Sequence, residues 1–525
     1  MHREQATRLY ALGLIALIVL GALPILWYPL GRDQSIYATV GVSILQGGLP
    51  YLDAWDIKPP AIFYLYSAVI GAFGQTSASP RLLDLILMPV GMWGMFALGQ
   101  RWGKLGLWTL GIFGVLYFSD AFVNLSQNDA LALVPLIGVA WASLWAGDAP
   151  LASRQALLRA GMAGFLAGIL VWFKHFYVLL IMALVLAHVM RRAWRAWRGI
   201  LLEALAFSVG GFVIGVPILF ALIASGMWEQ MLILAQGTVR YNSSDFASFA
   251  LNLLNYAQWR WWYWGAGVVL ALIALGFGRS VPVPALSGVS SEAQQATQRV
   301  IGAWVLGGLA FLLIQRQGFD THWMPLLPPL ALVAARGAYQ LSHVPRFSGA
   351  WQKAMAWGLS VGLAGILLAN TWLPSTAYAL GQETQAAYYQ RFQANDFKPW
   401  ESLAIVDYLR PRLAQGDSLY IYGFRPEITY LGAWRHPTRF FSNYGLIDRA
   451  YPAEWRQENV NLLWAAMPPY VLVLENDFLP WVNGENADSH SLLQQDTELN
   501  NWLMANYERI HKLGDFIIWQ RRPTS

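Results

Sequence analysis

The first apolar stretch of the chain runs from Leu9 to Leu30 and reads LYALGLIALIVLGALPILWYPL. It carries no charge over about 22 positions, and a helix of that length is about 33 Å long, enough to span the hydrocarbon core of a bilayer. A cleaved signal peptide would have a shorter apolar region followed by small residues. We therefore predict an uncleaved first membrane span.

The composition agrees with lipid as the solvent for most of the chain. Of the 525 residues, 56% are hydrophobic and 12% are charged, whereas soluble domains carry about 25% charged residues. There is no cysteine, which excludes disulfides, thiolate catalysis and cysteine metal sites. The net charge of +5 does not indicate nucleic acid as a partner, because the basic residues lie in short loops between apolar runs.

Ten more apolar runs follow the first one. Some are short for a membrane crossing, and we expect these helices to extend past the run. Together the runs predict a polytopic α-helical membrane protein with about eleven transmembrane helices. The ten runs lie at about 82–100, 106–119, 129–147, 157–173, 176–190, 200–224, 262–278, 300–315, 323–340 and 354–373.

Lysine and arginine fix the predicted orientation, because they collect in cytoplasmic loops. The strongest inside signal is RRAWRAWR at Arg191–Arg198, and alternating spans place the N-terminus in the cytoplasm. The other basic residues on the inside are Arg3, Arg8, Arg101, Lys104, Arg154, Arg159, Arg279, Arg299, Arg346 and Lys353. The segments predicted to lie outside are 31–80, 120–128, 174–175, 225–261, 316–322 and everything after 374.

Two segments need separate treatment. Ala61–Gly74 (AIFYLYSAVIGAFG) is apolar but only about 14 residues long, which is short for a crossing. If it crossed, every later loop would be inverted, so we predict a re-entrant or interfacial segment. Val281–Thr297 (VPVPALSGVSSEAQQAT) is predicted to be a mobile inside loop.

Charged residues return after about Gln382, and apolar runs shorten. Strands are predicted at Ser418–Gly423, Tyr470–Glu475 and Phe516–Gln520, with helices at Trp400–Leu413, Arg449–Met467 and Leu492–Tyr507. Strands alternating with helices favour a small α/β domain. We therefore divide the chain into a transmembrane module, 1–380, whose first outside loop is 31–80, and an extracytoplasmic α/β domain, 381–525.

The first outside loop is the most informative segment for function. Asp33 falls where the first span leaves the membrane, and the apolar positions of Ser35–Leu45 follow a helical stripe that suits an interfacial helix. A carboxylate at this depth can meet both a lipid-borne substrate and an aqueous one. The alternative is that Asp33 only caps the following helix, as aspartate often does.

Other polar groups are predicted to emerge on the same side. Lys58 precedes Pro59 and Pro60, which stiffen the backbone, although a lysine at a membrane surface can also simply extend its ammonium into water. Ionisable groups that border membrane spans are costly and point to function. The further ones are Asp129, Lys174, His175, Asp320 and His322. They lie far apart in sequence but at similar predicted depth.

Together these groups suit transfer from a phosphate-linked lipid donor. A carboxylate can deprotonate an acceptor hydroxyl, and lysine or arginine can hold the leaving phosphate. Asp33 with Asp129 could also hold a divalent cation such as Mg²⁺ or Mn²⁺, although the spacing does not establish one.

At these residues the chain resembles the GT-C membrane glycosyltransferases, in particular the group that contains protein O-mannosyltransferases and the aminoarabinose transferase of lipid A. The resemblance covers the first ~340 residues in order. It is carried by Asp33 with Tyr37, by Lys58-Pro59-Pro60, by Asp129 at the head of a span, by Lys174 after an apolar run, and by His322 before Leu326–Leu332 (LLPPLAL). Many relatives have Asp-Glu at the first-loop motif, where this chain has Asp33-Gln34, so a second carboxylate is missing there.

The resemblance implies an inverting transfer from a polyprenyl-phosphate sugar, without a nucleotide, on the outer side of the cytoplasmic membrane. It implies that Asp33 is the catalytic carboxylate, that Asp129 is a second active-site acid, and that Lys58 and Lys174 approach the donor phosphate. The remaining predicted site residues are Arg32 on the donor phosphate and, at the acceptor, Tyr37, Asp56, His175, Asp320 and His322.

The predicted partners are therefore the lipid-linked sugar donor, membrane lipid, and an acceptor that is a glycan, a lipid or a protein. Two other functions stay open from the residues alone. A transporter or flippase for lipid-linked glycans also uses intramembrane charges, but it predicts two matching halves, which the sequence does not show. A non-catalytic cell-envelope assembly protein could keep the same fold and use the C-terminal domain for binding.

Overall fold

The computed structural model describes residues 2–192, 194–241, 246–277, 283–284, 289–344 and 348–523. The predicted inside residues Arg279 and Arg346, and part of Val281–Thr297, lie outside these ranges. As far as Asn370 the helices are α1 (His2–Ala22), α2 (Arg32–Leu45), α3 (Ala61–Phe73), α4 (Leu82–Trp102), α5 (Gly106–Phe118), α6 (Asn128–Leu131), α7 (Leu133–Asp148), α8 (Arg154–Phe173), α9 (Tyr177–Val189), α10 (Trp197–Ala224), α11 (Met227–Tyr241), α12 (Phe246–Phe277), α13 (Ser291–Ile314), α14 (Leu327–Leu341) and α15 (Gly349–Asn370).

The rest of the chain mixes shorter helices with four strands. In chain order these elements are α16 (Trp372–Ala379), α17 (Gln385–Tyr389), α18 (Pro399–Leu409), β1 (Leu419–Tyr422), α19 (Glu427–Gly432), α20 (Tyr444–Ile447), α21 (Glu454–Ala466), β2 (Tyr470–Leu474), α22 (Pro480–Asn483), α23 (Ser489–Gln495), α24 (Thr497–Asn506), β3 (Tyr507–Leu513) and β4 (Phe516–Arg521). Short 3-10 helices cover Leu23–Trp27, Trp194–Ala196, Asp320–Leu326 and Gln390–Phe392.

Each of the eleven predicted apolar runs overlaps at least one helix. Within the described residues, seven helical segments are long and apolar enough to cross a membrane. They are Glu4–Trp27, Leu82–Trp102, Asn128–Asp148, Arg154–Phe173, Trp197–Ala224, Ser291–Ile314 and Gly349–Asn370. Three further apolar helices, α3, α5 and α9, are shorter, at 13 residues each. The number of crossings, and whether α3 is one of them, stays a prediction.

Helices extend into two segments that lie between the predicted apolar runs. The segment 225–261 is mostly helical, because α11 and the first half of α12 lie in it. Polar residues lower the hydropathy of 246–261, yet its apolar positions keep the three- and four-residue spacing of a helix. Likewise, Ser291–Thr297 begins α13, where the Ser290 side chain accepts a hydrogen bond from the Ala293 amide as an N-cap.

Contacts along the backbone divide the chain into two compact units. Unit 1 comprises Met1–Ile25, Leu83–Ile218 and Asp245–Pro374. In it α12 packs on α14, α7 on α8, and α9 on α13. Small residues allow close approach between such helices: a Cβ atom added to Gly164 of α8 would lie 1.8 Å from the Phe207 carbonyl oxygen of α10.

Unit 2 comprises Leu26–Leu82, Leu219–Ser244 and Ser375–Ser525. Its sheet has the order β1-β2-β4-β3, with β1 and β2 parallel and the other two pairs antiparallel. The core of this sheet is built by fully buried side chains such as Ile405, Leu409, Leu472 and Ile518. The mixed sheet with flanking helices confirms the predicted C-terminal α/β fold.

All three predicted strands of this sheet are present, and two details differ. Strand β3 (YERIHKL) was not predicted, because it lies at the sheet edge and most of its side chains are exposed, so it lacks an apolar pattern. The predicted helix Leu492–Tyr507 is two helices. They divide at Asp496, whose side chain caps α24 by accepting from the Leu499 amide.

Helices α2 and α3 form a tightly packed pair in unit 2. The closest approach is at Gly41, where an added Cβ atom would lie 2.9 Å from the Ser67 amide nitrogen of α3. Tyr37 of α2 is fully buried and its ring makes an edge contact with Tyr66 of α3, at 5.4 Å between centroids. This packing fixes the first turn of α2, which carries Asp33, beside the loop that leads into α3.

Candidate active site

Asp33 lies in the first turn of α2 but does not cap the helix. The N-cap is Gly31, and Asp33 is the second helical residue, where a carboxylate is favoured by the helix dipole. Its side chain is 32% exposed. The Lys58 ammonium lies 3.9 Å from Asp33 Oδ2, and the Tyr37 hydroxyl lies 3.5 Å from the same oxygen.

The backbone of Lys58 is held on both sides. Its amide donates to Asp56 Oδ1 at 3.0 Å, and its carbonyl oxygen accepts from the Tyr51 hydroxyl at 2.8 Å. Asp56 is buried, and this burial raises the pKa of its carboxyl group, an effect that the nearby Lys58 ammonium partly offsets. Pro60 then caps α3. The backbone that carries the Lys58 side chain is therefore fixed, and the side chain itself is 22% exposed.

Arg32 faces the C-terminal part of unit 2. Its guanidinium forms an ion pair with Asp396 and lies 5.8 Å and 5.5 Å from the ring centroids of Phe397 and Phe424. Arg32, Asp33, Tyr37, Asp56 and Lys58 are thus brought together in one unit, and we call them the first-loop cluster.

Asp129 and Lys174 meet in unit 1. Lys174 Nζ donates to Asp129 Oδ2 at 2.8 Å, and the Tyr177 hydroxyl lies 3.3 Å from Asp129 Oδ1. Lys174 is the C-cap residue of α8, and its backbone is extended. The Asp129 side chain is 4% exposed and that of Lys174 is 15% exposed. This ion pair joins two residues that are 45 positions apart in sequence, and their role in an active site stays a prediction.

The other predicted residues of unit 1 are placed differently from one another. Asp320 is bound by Arg260, whose Nε lies 2.6 Å from Asp320 Oδ1, and by the side-chain amide of Asn124. His322 follows in the same 3-10 helix and is buried, whereas His175 is exposed. The 3-10 helix packs against α6, which carries Asp129.

The sequence reasoning missed two members of this network. Arg260 is 3% exposed and pairs with both Asp120 and Asp320, and Asp120 also accepts from the Trp264 indole at 3.0 Å. Arg260 belongs to the stretch YAQWRWWYW at Tyr256–Trp264, whose aromatic composition is typical of an interface between lipid and water. An arginine inside such a stretch signals a buried acidic partner, because an unpaired guanidinium is costly there.

The divalent cation predicted at Asp33 and Asp129 stays a prediction, because the two carboxylates belong to different units. In the described part of the chain, no three histidine, aspartate or glutamate side chains are grouped as metal ligands. Asp129 faces an ammonium at 2.8 Å and Asp33 faces one at 3.9 Å, so a lysine takes the place that a cation would need. We therefore assign no chemical step to a metal.

No family model matches the sequence, and no curated protein does. Solved structures do match along nearly the whole chain. ArnT from Cupriavidus metallidurans bound to undecaprenyl phosphate superposes with a TM-score of 0.59 at 14% identity, over 97% of this chain and 98% of that chain. The apo form of ArnT gives 0.57 at the same identity and coverage. The chain has the GT-C fold.

A second membrane transferase supports the same fold. The archaeal oligosaccharyltransferase AglB from Archaeoglobus fulgidus, in complex with an inhibitory peptide and a dolichol-phosphate, matches with a TM-score of 0.50 at 9% identity. The match covers 97% of this chain and 74% of AglB. With the GT-C fold and seven helical segments suited to spanning, the chain is a multi-pass membrane protein.

Proposed function

We propose that this protein is an inverting glycosyltransferase. It moves a sugar from a polyprenyl-phosphate donor to an acceptor hydroxyl on the outer side of the cytoplasmic membrane. The match to ArnT with bound undecaprenyl phosphate, over nearly the full length of both chains, supports a lipid-phosphate donor. In this proposal the N-terminus is cytoplasmic, the transmembrane module is 1–380, and the domain 381–525 is extracytoplasmic.

The observation that carries the proposal is the pairing of Asp33 with Lys58. Both side chains are partly exposed, their charged groups are 3.9 Å apart, and both backbones are fixed by the packing of α2 on α3 and by the loop before α3. When a base and a cation are adjacent and accessible, the base can act on the attacking nucleophile and the cation on the leaving group of the same displacement reaction.

Chemically, Asp33 takes the proton from the acceptor hydroxyl, whose oxygen attacks the anomeric carbon of the sugar. The bond between that carbon and the phosphate oxygen breaks, and the polyprenyl phosphate leaves with both bonding electrons. Lys58 stabilises the charge that develops on the departing phosphate. One base and one displacement invert the configuration at the anomeric carbon.

The remaining site residues are assigned to supporting roles. Lys174, fixed by Asp129, is a second phosphate ligand, and Arg32 is a third. Tyr37 and Asp56 shape the first-loop cluster, whereas the residues that line the acceptor path are His175, Asp320 and His322. These assignments require the first-loop cluster and the Asp129–Lys174 pair to serve one active site.

The test is transfer by purified protein from a synthetic polyprenyl-phosphate sugar. Asp33→Asn keeps the shape of the side chain and removes its basicity, so we expect a rate loss of about 10²–10⁴-fold, the usual contribution of general base catalysis. The matched control is Asp407→Asn, because Asp407 is 59% exposed on α18 and pairs with Arg410, three residues along the chain. Transfer at full rate by Asp33→Asn would show that Asp33 is not the base.

The same assay separates the alternative functions. A flippase moves the intact lipid-linked sugar between leaflets and releases no polyprenyl phosphate, and an assembly protein does neither. Release of polyprenyl phosphate that depends on both acceptor and Asp33 would therefore support the transferase alone.

A further inference from the structure

The Arg439 guanidinium connects three segments of unit 2 that are far apart in sequence. It makes a bidentate ion pair with Glu458, with both N–O distances at 2.7 Å. Its Nη1 donates to the Tyr51 carbonyl oxygen at 3.1 Å and to Gln230 Oε1 at 3.0 Å. The side chain is 9% exposed and stacks 4.8 Å from the Trp455 ring centroid. Such fork geometry is specific to arginine.

From Tyr51 the contacts lead directly to Lys58. Tyr51 is fully buried, and its hydroxyl donates to the Lys58 carbonyl oxygen at 2.8 Å. Its φ is +70°, a conformation that is unfavourable for a residue with a large side chain and persists only where neighbouring groups hold it. The hydrogen bond from Arg439 to the Tyr51 carbonyl oxygen is one such restraint.

A second contact holds the middle of the same loop. The Trp55 amide donates to the Arg439 carbonyl oxygen at 2.9 Å. The Trp55 ring is 2% exposed and packs in a cage of aromatic rings contributed by Phe440, Tyr444, Tyr451 and Trp455. The backbone of the loop is thus fixed from the C-terminal part of the unit at two points, Tyr51 and Trp55.

We propose that Arg439 is a positioning residue for Lys58: through Tyr51 it sets where the lysine ammonium meets the donor phosphate. This inference rests on the proposed function, because it takes Lys58 to bind the donor phosphate. It assigns the C-terminal part of the chain a role in donor binding, exerted through the loop and without contact with the donor.

The first measurement needs no ligand. Hydrogen–deuterium exchange of the full-length protein in detergent is compared for wild type, Arg439→Lys and Arg435→Lys. Arg439→Lys keeps the positive charge and loses the bidentate hydrogen-bonding geometry of the guanidinium. Arg435→Lys is the control, because Arg435 is an exposed arginine of the same segment. We expect faster exchange over residues 51–58 in Arg439→Lys only. Unchanged exchange there would overturn the inference, whatever the outcome for the transferase activity.

The second measurement is binding of undecaprenyl phosphate alone. We expect Arg439→Lys and Tyr51→Phe each to raise Kd by about tenfold, since displacement of a site group by about 1 Å can cost ~10²-fold. In a Lys58→Gln background, Arg439→Lys should change Kd by less than about twofold, because residues acting through one group are not additive. A merely structural arginine would weaken binding equally in both backgrounds, which would overturn the inference.

One control separates the two proposals. If Lys58→Gln alone leaves Kd unchanged, Lys58 does not bind the donor phosphate and the chemical role that the proposed function gives it is wrong. The exchange experiment then still decides whether Arg439 holds the loop.

Discussion

Replacing Lys174 by methionine removes the ammonium that lies 2.8 Å from the Asp129 carboxylate and keeps most of the apolar side chain. Breaking a buried ion pair by removing one partner costs about 3–5 kcal/mol, because the other charge stays buried without compensation. Asp129 is 4% exposed, but Lys174 is 15% exposed and the Tyr177 hydroxyl remains 3.3 Å from the carboxylate. We therefore expect the lower end, a loss of about 3 kcal/mol in the free energy of unfolding.

A second substitution tests the cause. Adding Asp129→Asn to Lys174→Met removes the uncompensated charge and leaves the loss of about one hydrogen bond, about 1 kcal/mol. The double variant should thus recover about 2 kcal/mol relative to Lys174→Met. The assay is denaturant unfolding in mixed detergent micelles, followed by tryptophan fluorescence, with the exposed Lys353→Met as control. Wild-type stability of Lys174→Met, or no recovery in the double variant, would refute the reasoning.

Two further predictions concern pH and topology. Burial raises the pKa of the Asp477 carboxyl to about 7, against about 3.9 in an unfolded chain. Between these two values the folded state binds more protons than the unfolded state. The free energy of unfolding therefore falls by roughly 4 kcal/mol as pH rises from 4 to 7. Asp477→Asn should flatten this dependence and stabilise the protein at pH 8, and unfolding midpoints at pH 5 and 8 check it. Because the chain has no cysteine, cysteines at Gln415 and Ala196 give clean topology probes: an impermeant thiol reagent should label only the first in intact cells, and the reverse would invert the proposed orientation.

Much of the fold could be predicted from the sequence. The apolar runs located helices because lipid requires long uncharged stretches with all backbone groups bonded within the helix. Strands β1, β2 and β4 were visible because most of their side chains are buried, and buried strands are continuous apolar runs. Strand β3 and the first half of α12 were not predicted, because polar side chains interrupt the apolar pattern in both segments. Their backbones nevertheless form a strand and a helix.

Less of the site could be predicted. Sequence reasoning named Asp33, Lys58, Asp129 and Lys174, and the structure pairs them as Asp33 with Lys58 and Asp129 with Lys174. Convergence of the two pairs stays a prediction. The role proposed for Arg439 left no sequence signal, because the stretch RHPTRFF at 435–441 does not show which distant segments its arginines contact.

The amino-acid sequence by itself determined that this chain enters a membrane, where its apolar helices lie along the chain, and which ionisable groups border the apolar runs. Only the tertiary structure decided the partner of each charge. Hydropathy is a local property, summed over neighbours in the chain, whereas an ion pair such as Arg260 with Asp120, 140 residues apart, exists only because packing brings the two side chains together.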